Sequence, residues 1–124
     1  MSILLKPHID FPKEIIVRTF EGRVGFNQIL DSWKSLKDHQ LITKKTVGII
    51  NDLSKCDLQL DMNDFASIIS YLKTQDYLKH IKLAVITDSP KVIVFPMLGE
   101  TQEKTLNIKP FNTEKAAVGW IMNL

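Results

Sequence analysis

At 124 residues the chain has room for one domain, expected to span residues 1–124, because independent domains most often hold about 100–150 residues. Its 44% hydrophobic and 24% charged residues suffice to bury a core, which excludes a disordered or fibrous chain. Lys and Arg number 16 against 14 Asp and Glu; the resulting charge of +2 is too small and scattered for a nucleic-acid footprint, and one cysteine excludes an internal disulfide and points to a reducing compartment.

The opening Met1-Ser2-Ile3-Leu4-Leu5 gives way to Lys6-Pro7-His8, so its apolar part is shorter than the ~7–15 residue core of an export signal. Apolar stretches such as Val92 to Leu98 fall short of the ~18–20 residues that cross a bilayer. The expected location is the cytoplasm, with no transmembrane segment.

The first elements are strands. Residues Glu14 to Phe20 form a β-branched run that ends at Glu21-Gly22, where glycine reads as a terminator. An earlier strand at Ile3–Ile9, across the turn-like Asp10-Phe11-Pro12, would complete an antiparallel hairpin. From Gly25 on, Phe26, Ile29, Leu30, Trp33 and Leu36 recur at helical spacing and predict an amphipathic helix. Thr46 to Asn51 is nearly continuously apolar, the pattern of a strand covered on both faces, and belongs at the centre of a sheet. Asp61 opens the best-marked helix: it caps the first turn, Asp64 suits the positive helix end, and Phe65, Ile68, Ile69 and Leu72 supply the stripe. Lys82 to Thr87 predicts a second buried strand.

Asp88-Ser89-Pro90 then offers a cap and a first-turn proline for a helix over Lys91 to Gly99, kinked or shortened at Pro96. Thr105 to Lys109 alternates like an edge strand. Thr113 caps a last helix whose Ala116, Ala117, Trp120, Ile121 and Leu124 face inward. Strands separated by helices run mostly parallel, so the expected fold is α/β, with a mixed, mostly parallel sheet of four to five strands and about four helices.

Ligands of such sheets bind beyond the carboxyl ends of the strands. The candidate functional positions are therefore the strand-end loops carrying Asp52, Ser54, Asp61, Thr87 and Asp88. Val94, Phe95 and Met97 beside Pro96 form a candidate contact surface or ligand cleft, and Tyr71 and Tyr77 are candidate contact residues. His8, His39 and His80 stand apart without close ligand pairs, so no metal is expected. Cys56 reads as a small half-buried residue rather than a reactive thiol. No glycine-rich phosphate loop is present, and no cofactor is expected. Asp52, Thr87 and Lys109-Pro110 resemble the Asp, Thr and Lys-Pro of phosphoacceptor receiver domains. The acidic pair that receivers carry after the first strand is missing, and the simpler account places Asp52 and Asp88 in turns with Lys109 in solvent.

The run Pro110-Phe111-Asn112-Thr113-Glu114-Lys115-Ala116-Ala117-Val118-Gly119-Trp120-Ile121 resembles the ending of SpoIIAA-like (STAS) proteins, in which Phe-x-Thr-x-x-x-Ala-x-x-Trp docks the last helix. Ile49-Ile50-Asn51-Asp52-Leu53-Ser54 resembles that family's central strand and its Asp-Leu turn, and Lys82 to Asp88 its next strand. The resemblance implies a SpoIIAA-like fold and a non-enzymatic regulatory or protein-interaction role, through a protein partner or self-association. The family's regulatory members carry a phosphorylated serine in an Asp-Ser-Ser-Gly loop. This chain has Leu60-Asp61-Met62-Asn63-Asp64 there, with no hydroxyl beside Asp61, so that switch is not expected. The alternative is a domain that binds a small apolar ligand or lipid. An enzyme built on Asp52 and Asp88 is least favoured.

Overall fold

The computed structural model describes residues 2–10, 13–88 and 106–122. Strand β1 (Ser2–Asp10) pairs antiparallel with β2 (Lys13–Gly25), from Ser2↔Glu21 to Asp10↔Lys13, so the expected hairpin forms. The long second strand corrects one expectation, because it does not stop at Gly22. Gly22 takes φ 80, a left-handed conformation open to glycine at little cost, and the strand runs on to Gly25. That extension pairs in parallel with β4 (Cys56–Gln59), from Gly22↔Cys56 to Gly25↔Gln59. No strand is expected here from sequence: four residues are too few for a periodic signal, and partners 34 residues away in the chain supply the order.

Helix α1 (Phe26–Asp38) starts directly after β2, where the Gly25 N–H donates to Gln28 Oε1 at 2.7 Å. It buries Ile29, Trp33 and Leu36 as the stripe requires, and also Ser32; Phe26 and Leu30 are half-buried. Strand β3 (Thr46–Asp52) follows, then β4 and α2 (Met62–Lys73). Asp61 Oδ1 accepts from the Asp64 N–H at 2.7 Å while the Asp64 carboxylate accepts from the Asp61 N–H at 3.2 Å, a reciprocal cap of two side chains. A 3-10 turn (Asp76–His80) leads into β5 (Lys82–Ile86).

Strand β6 (Asn107–Phe111) lies at the sheet edge, where Pro110, lacking an N–H, is tolerated. It runs two residues past the expected end at Lys109. The last helix, α3 (Glu114–Met122), begins with the Ala116 N–H donating to Thr113 Oγ1 at 3.1 Å.

The strand order is β1-β2-β3-β5-β6, with β4 alongside the end of β2, and every pairing except β1 with β2 is parallel. The apolar β3 takes the central place, as its covered pattern demands. Among the described residues the sheet thus has six strands where four or five are expected, the extra one being β4. Three α-helices stand among the described residues; the expected helix at 91–99 lies outside them.

The sheet separates two cores. On one side Phe20, Ile49, Leu83 and Ile108 pack under Trp33 and Leu36 of α1 and Ile68, Ile69 and Leu72 of α2. On the other, Ile15, Val17, Ile50, Ala84 and Ile86 pack against Ala117, Ile121 and Met122 of α3. Lys82 Nζ closes that second side by donating to the Trp120 carbonyl at 2.9 Å, a cation at a helix C-terminus.

Candidate functional site

Parallel strands β3 and β5 end level with one another, Asp52 opposite Ile86, and the Leu53 N–H donates to the Ile86 carbonyl at 2.8 Å. This register brings together three of the residues singled out in the sequence. Asp52 Oδ1 accepts from the Ser54 N–H at 3.0 Å and from Ser54 Oγ at 2.6 Å, closing the turn after β3. Thr87 follows β5 at the same end, is 1% exposed, and donates its N–H to the Phe111 carbonyl at 3.1 Å. Asp88 is exposed beyond it. Asp61 is engaged in the cap of α2.

Lys109 does not join Asp52. It pairs with Ala84, two residues before the level of Ile86, and is exposed. Tyr71 and Tyr77 are half-buried against the core under α1 and α2 rather than displayed as contact residues. Val94, Phe95 and Met97 lie outside the described residues.

Among the described residues no group of three or more His, Cys, Asp or Glu side chains is placed to hold a metal. Ser35 Oγ lies 3.1 Å from His39 Nδ1, but that nitrogen also stands 2.9 Å from the Ser35 carbonyl. A ring nitrogen that donates to a carbonyl already carries its proton and takes no other. Cys56 sits in β4 and donates to the Leu53 carbonyl at 3.4 Å. Burial, with Asp52 and Asp57 nearby, pushes its thiol up to about 11, so it is protonated at neutral pH.

The most unusual polar residue is one the sequence reading passed over. Arg18 stands in the middle of the apolar run of β2 and is 1% exposed. Its alternation partner Phe20 faces the α1 and α2 side, whereas Ile15 and Val17 face α3. Nε donates to Asn51 Oδ1 of β3 at 2.8 Å, and Nη1 donates to Ser32 Oγ of α1 at 3.0 Å. Ser32 Oγ in turn donates to the Ile29 carbonyl at 2.6 Å. The guanidinium carbon lies 4.2 Å from the centre of the Trp33 ring and 5.1 Å from that of Phe20, both cation–π distances.

All these partners are neutral, and no carboxylate pairs with Arg18 among the described residues. Burial lowers the guanidinium to about 9, which still leaves it charged at neutral pH. The buried Tyr77 hydroxyl has no hydrogen-bond partner among the described residues. Burial raises its pKa, and the Arg18 charge opposes that shift. The sequence signal was present: a single arginine with apolar residues at both i−1 and i+2 in a strand.

Two cavities meet this cation. One, of about 60 Å3, is bounded by Arg18, Trp33 and Asn51 and otherwise by apolar side chains from β2, α1, β4, α2, β5, β6 and the loops between them, including Phe20, Leu58 and Ile69. The other, of about 150 Å3, lies between β1 and α1 and is lined by Ile3, Leu5, Arg18, Ser32, Leu36 and Leu41 among others.

No family model matches the chain, and no curated protein matches it. Solved structures do match across nearly its whole length. One is an uncharacterised protein of the DUF3478 family with a SpoIIAA-like fold from Shewanella loihica PV-4, 14% identical, with a TM-score of 0.61 over 97% of this chain and 93% of that one. Another is the anti-sigma factor antagonist SpoIIAA in its unphosphorylated form, 9% identical, with a TM-score of 0.59 over 98% of both chains. The chain has a SpoIIAA-like fold, as its closing motif implies.

Proposed function

We propose that the chain is a non-enzymatic regulatory or protein-interaction domain of SpoIIAA-like type that acts in the cytoplasm. The observation that supports this reading is the state of the strand-end side chains. Asp52 is bound to Ser54, Asp61 is bound to Asp64, and Thr87 is buried, so these polar groups shape turns and caps instead of facing a substrate. Beside the exposed Asp88, this end of the sheet offers outward Met62, 58% exposed in the first turn of α2, an apolar side chain of the kind enriched in interfaces. No helix among the described residues is long and apolar enough to cross a membrane, and the single cysteine suits a reducing compartment.

Light scattering after gel filtration, together with affinity capture on native lysate, tests the proposal. A homodimer or a recovered partner, weakened by Met62→Glu, is the expected result. A strict monomer that captures nothing removes it. A second reading, a domain that binds a small ligand with an apolar part, is favoured by one specific observation, the cavity beside Arg18.

A further inference from the structure

We infer that the cavity at Arg18 is a binding site for a small monocarboxylate, whose head pairs with the guanidinium and whose short alkyl part fills the apolar remainder. This deepens the second reading above and rests on it.

A guanidinium has five N–H donors. Arg18 uses one on Asn51 and one on Ser32, and the others have no acceptor among the described residues. Those two contacts come from side chains of β3 and α1, so the planar head is held from two elements and stacked on Trp33 before any ligand arrives. A charge 1% exposed with no opposite charge paired to it among the described residues carries a desolvation penalty that an anion in the adjoining space relieves.

The size and character of that space select the anion. About 60 Å3 exceeds what a single water occupies, and the cavity is half open, so a short chain need not fit wholly inside it. Carboxylate geometry matches the guanidinium fork with two parallel hydrogen bonds. One negative charge balances one positive charge. Sulfate or doubly ionised phosphate would bury a surplus charge among Phe20, Leu58, Leu60 and Ile69, where no second cation stands among the described residues. An alcohol of the same length fits the hydrocarbon but offers no charge.

Titration of the full chain with sodium butyrate, followed through the Arg18 side-chain Nε–Hε resonance and by thermal shift, tests this against 1-butanol, sodium sulfate and sodium chloride at matched ionic strength. The expected result is saturable binding of butyrate at least about ten-fold tighter than that of butanol or sulfate. Arg18→Met abolishes it, and so does Leu58→Trp, which fills the space and keeps the arginine. The wild-type comparison of acid with alcohol stands even if Arg18→Met does not fold. Equal binding of butyrate and butanol overturns the role of Arg18 while the ligand cavity survives. Binding of sulfate as tight as that of butyrate overturns the monocarboxylate class. No saturable response to either butyrate or butanol overturns both this inference and the reading beneath it.

Discussion

Gly48 lies in β3 directly beneath α3, and the clearest stability prediction concerns what a single methyl group would do there. A Cβ at this position stands 2.5 Å from Cγ2, 2.7 Å from Cδ1 and 2.9 Å from Cγ1 of Ile121. Carbon atoms reach their optimal separation at about 3.5–4.0 Å, so all three Ile121 carbons would have to retreat by roughly 0.6–1 Å or more. They are carbons of one branched, 5% exposed side chain packed in the same core as Ile50 and Ala117, so α3 itself must lift. Overpacking of this kind costs about 1–3 kcal/mol, and exchanging Gly for Ala returns up to about 1 kcal/mol through the less flexible unfolded chain. The net expectation for Gly48→Ala is a loss of about 1–2 kcal/mol. Urea unfolding followed by the fluorescence of Trp33 and Trp120, one on each side of the sheet, measures it. Ile121→Ala removes all three contacts and costs about 2–4 kcal/mol alone. In that background Gly48→Ala should be neutral or stabilising, giving a coupling of about 1–3 kcal/mol. A Gly48→Ala protein as stable as the wild type, or a cost unchanged by Ile121→Ala, would refute the packing argument.

Three further outcomes follow from the geometry. Asp61→Ala removes the acceptor of the Asp64 N–H and should cost about 1 kcal/mol, or about 4 °C in Tm for a chain of this length; an unchanged melting curve contradicts the cap. Cys56, with its thiol raised to about 11, should react with a thiol reagent at pH 8 about 100-fold more slowly in the folded protein than in urea, and equal rates would show that the thiol is not shielded. For Arg18 the sign comes from proton binding. Between about 9 in the folded state and its ordinary, higher value in the unfolded chain, the unfolded state holds more protons, so this residue's contribution to stability rises with pH in that window and is constant below it. The stability of wild type minus Arg18→Met should be flat from about pH 6 to 8, then shift toward the wild type by up to about 1.4 kcal/mol per unit above pH 9. A difference that stays flat through about pH 10.5 contradicts the lowered value.

What could be read from the sequence was local. The cap of α2 is written in Asp61 and Asp64, three residues apart, and the covered pattern of Val47 to Asn51 was enough to put β3 in the middle of the sheet. The Asp52 turn was legible for the same reason, since its partner is Ser54. What escaped depends on distant partners. Cys56 to Gln59 become a strand only because Gly22 lets β2 run on far enough to meet them. The apolar neighbours of Arg18 hint at burial, but its partners are set only when α1 lies over β2 and β3 lies beside it. The cavity beside Arg18 is made by side chains from seven elements, and no window of sequence contains them.

The short ladder between Gly22–Gly25 and Cys56–Gln59 has a mechanical consequence. Helix α1 begins at the residue after Gly25, and α2 begins three residues after Gln59, so the backbone bonds of this ladder clamp the starting ends of both helices side by side. At their far ends the exposed contacts between them include the hydrogen bond from Lys37 Nζ to Gln75 Oε1 at 3.3 Å and Lys34 Nζ at 5.9 Å from the centre of the Tyr71 ring, above the buried Leu36 and Leu72. Exposed side-chain contacts of this kind yield before a hydrogen-bonded backbone does, so the ladder end is the more firmly fixed of the two. What docks at Met62 therefore meets the part of the helix layer that the backbone ladder holds in place.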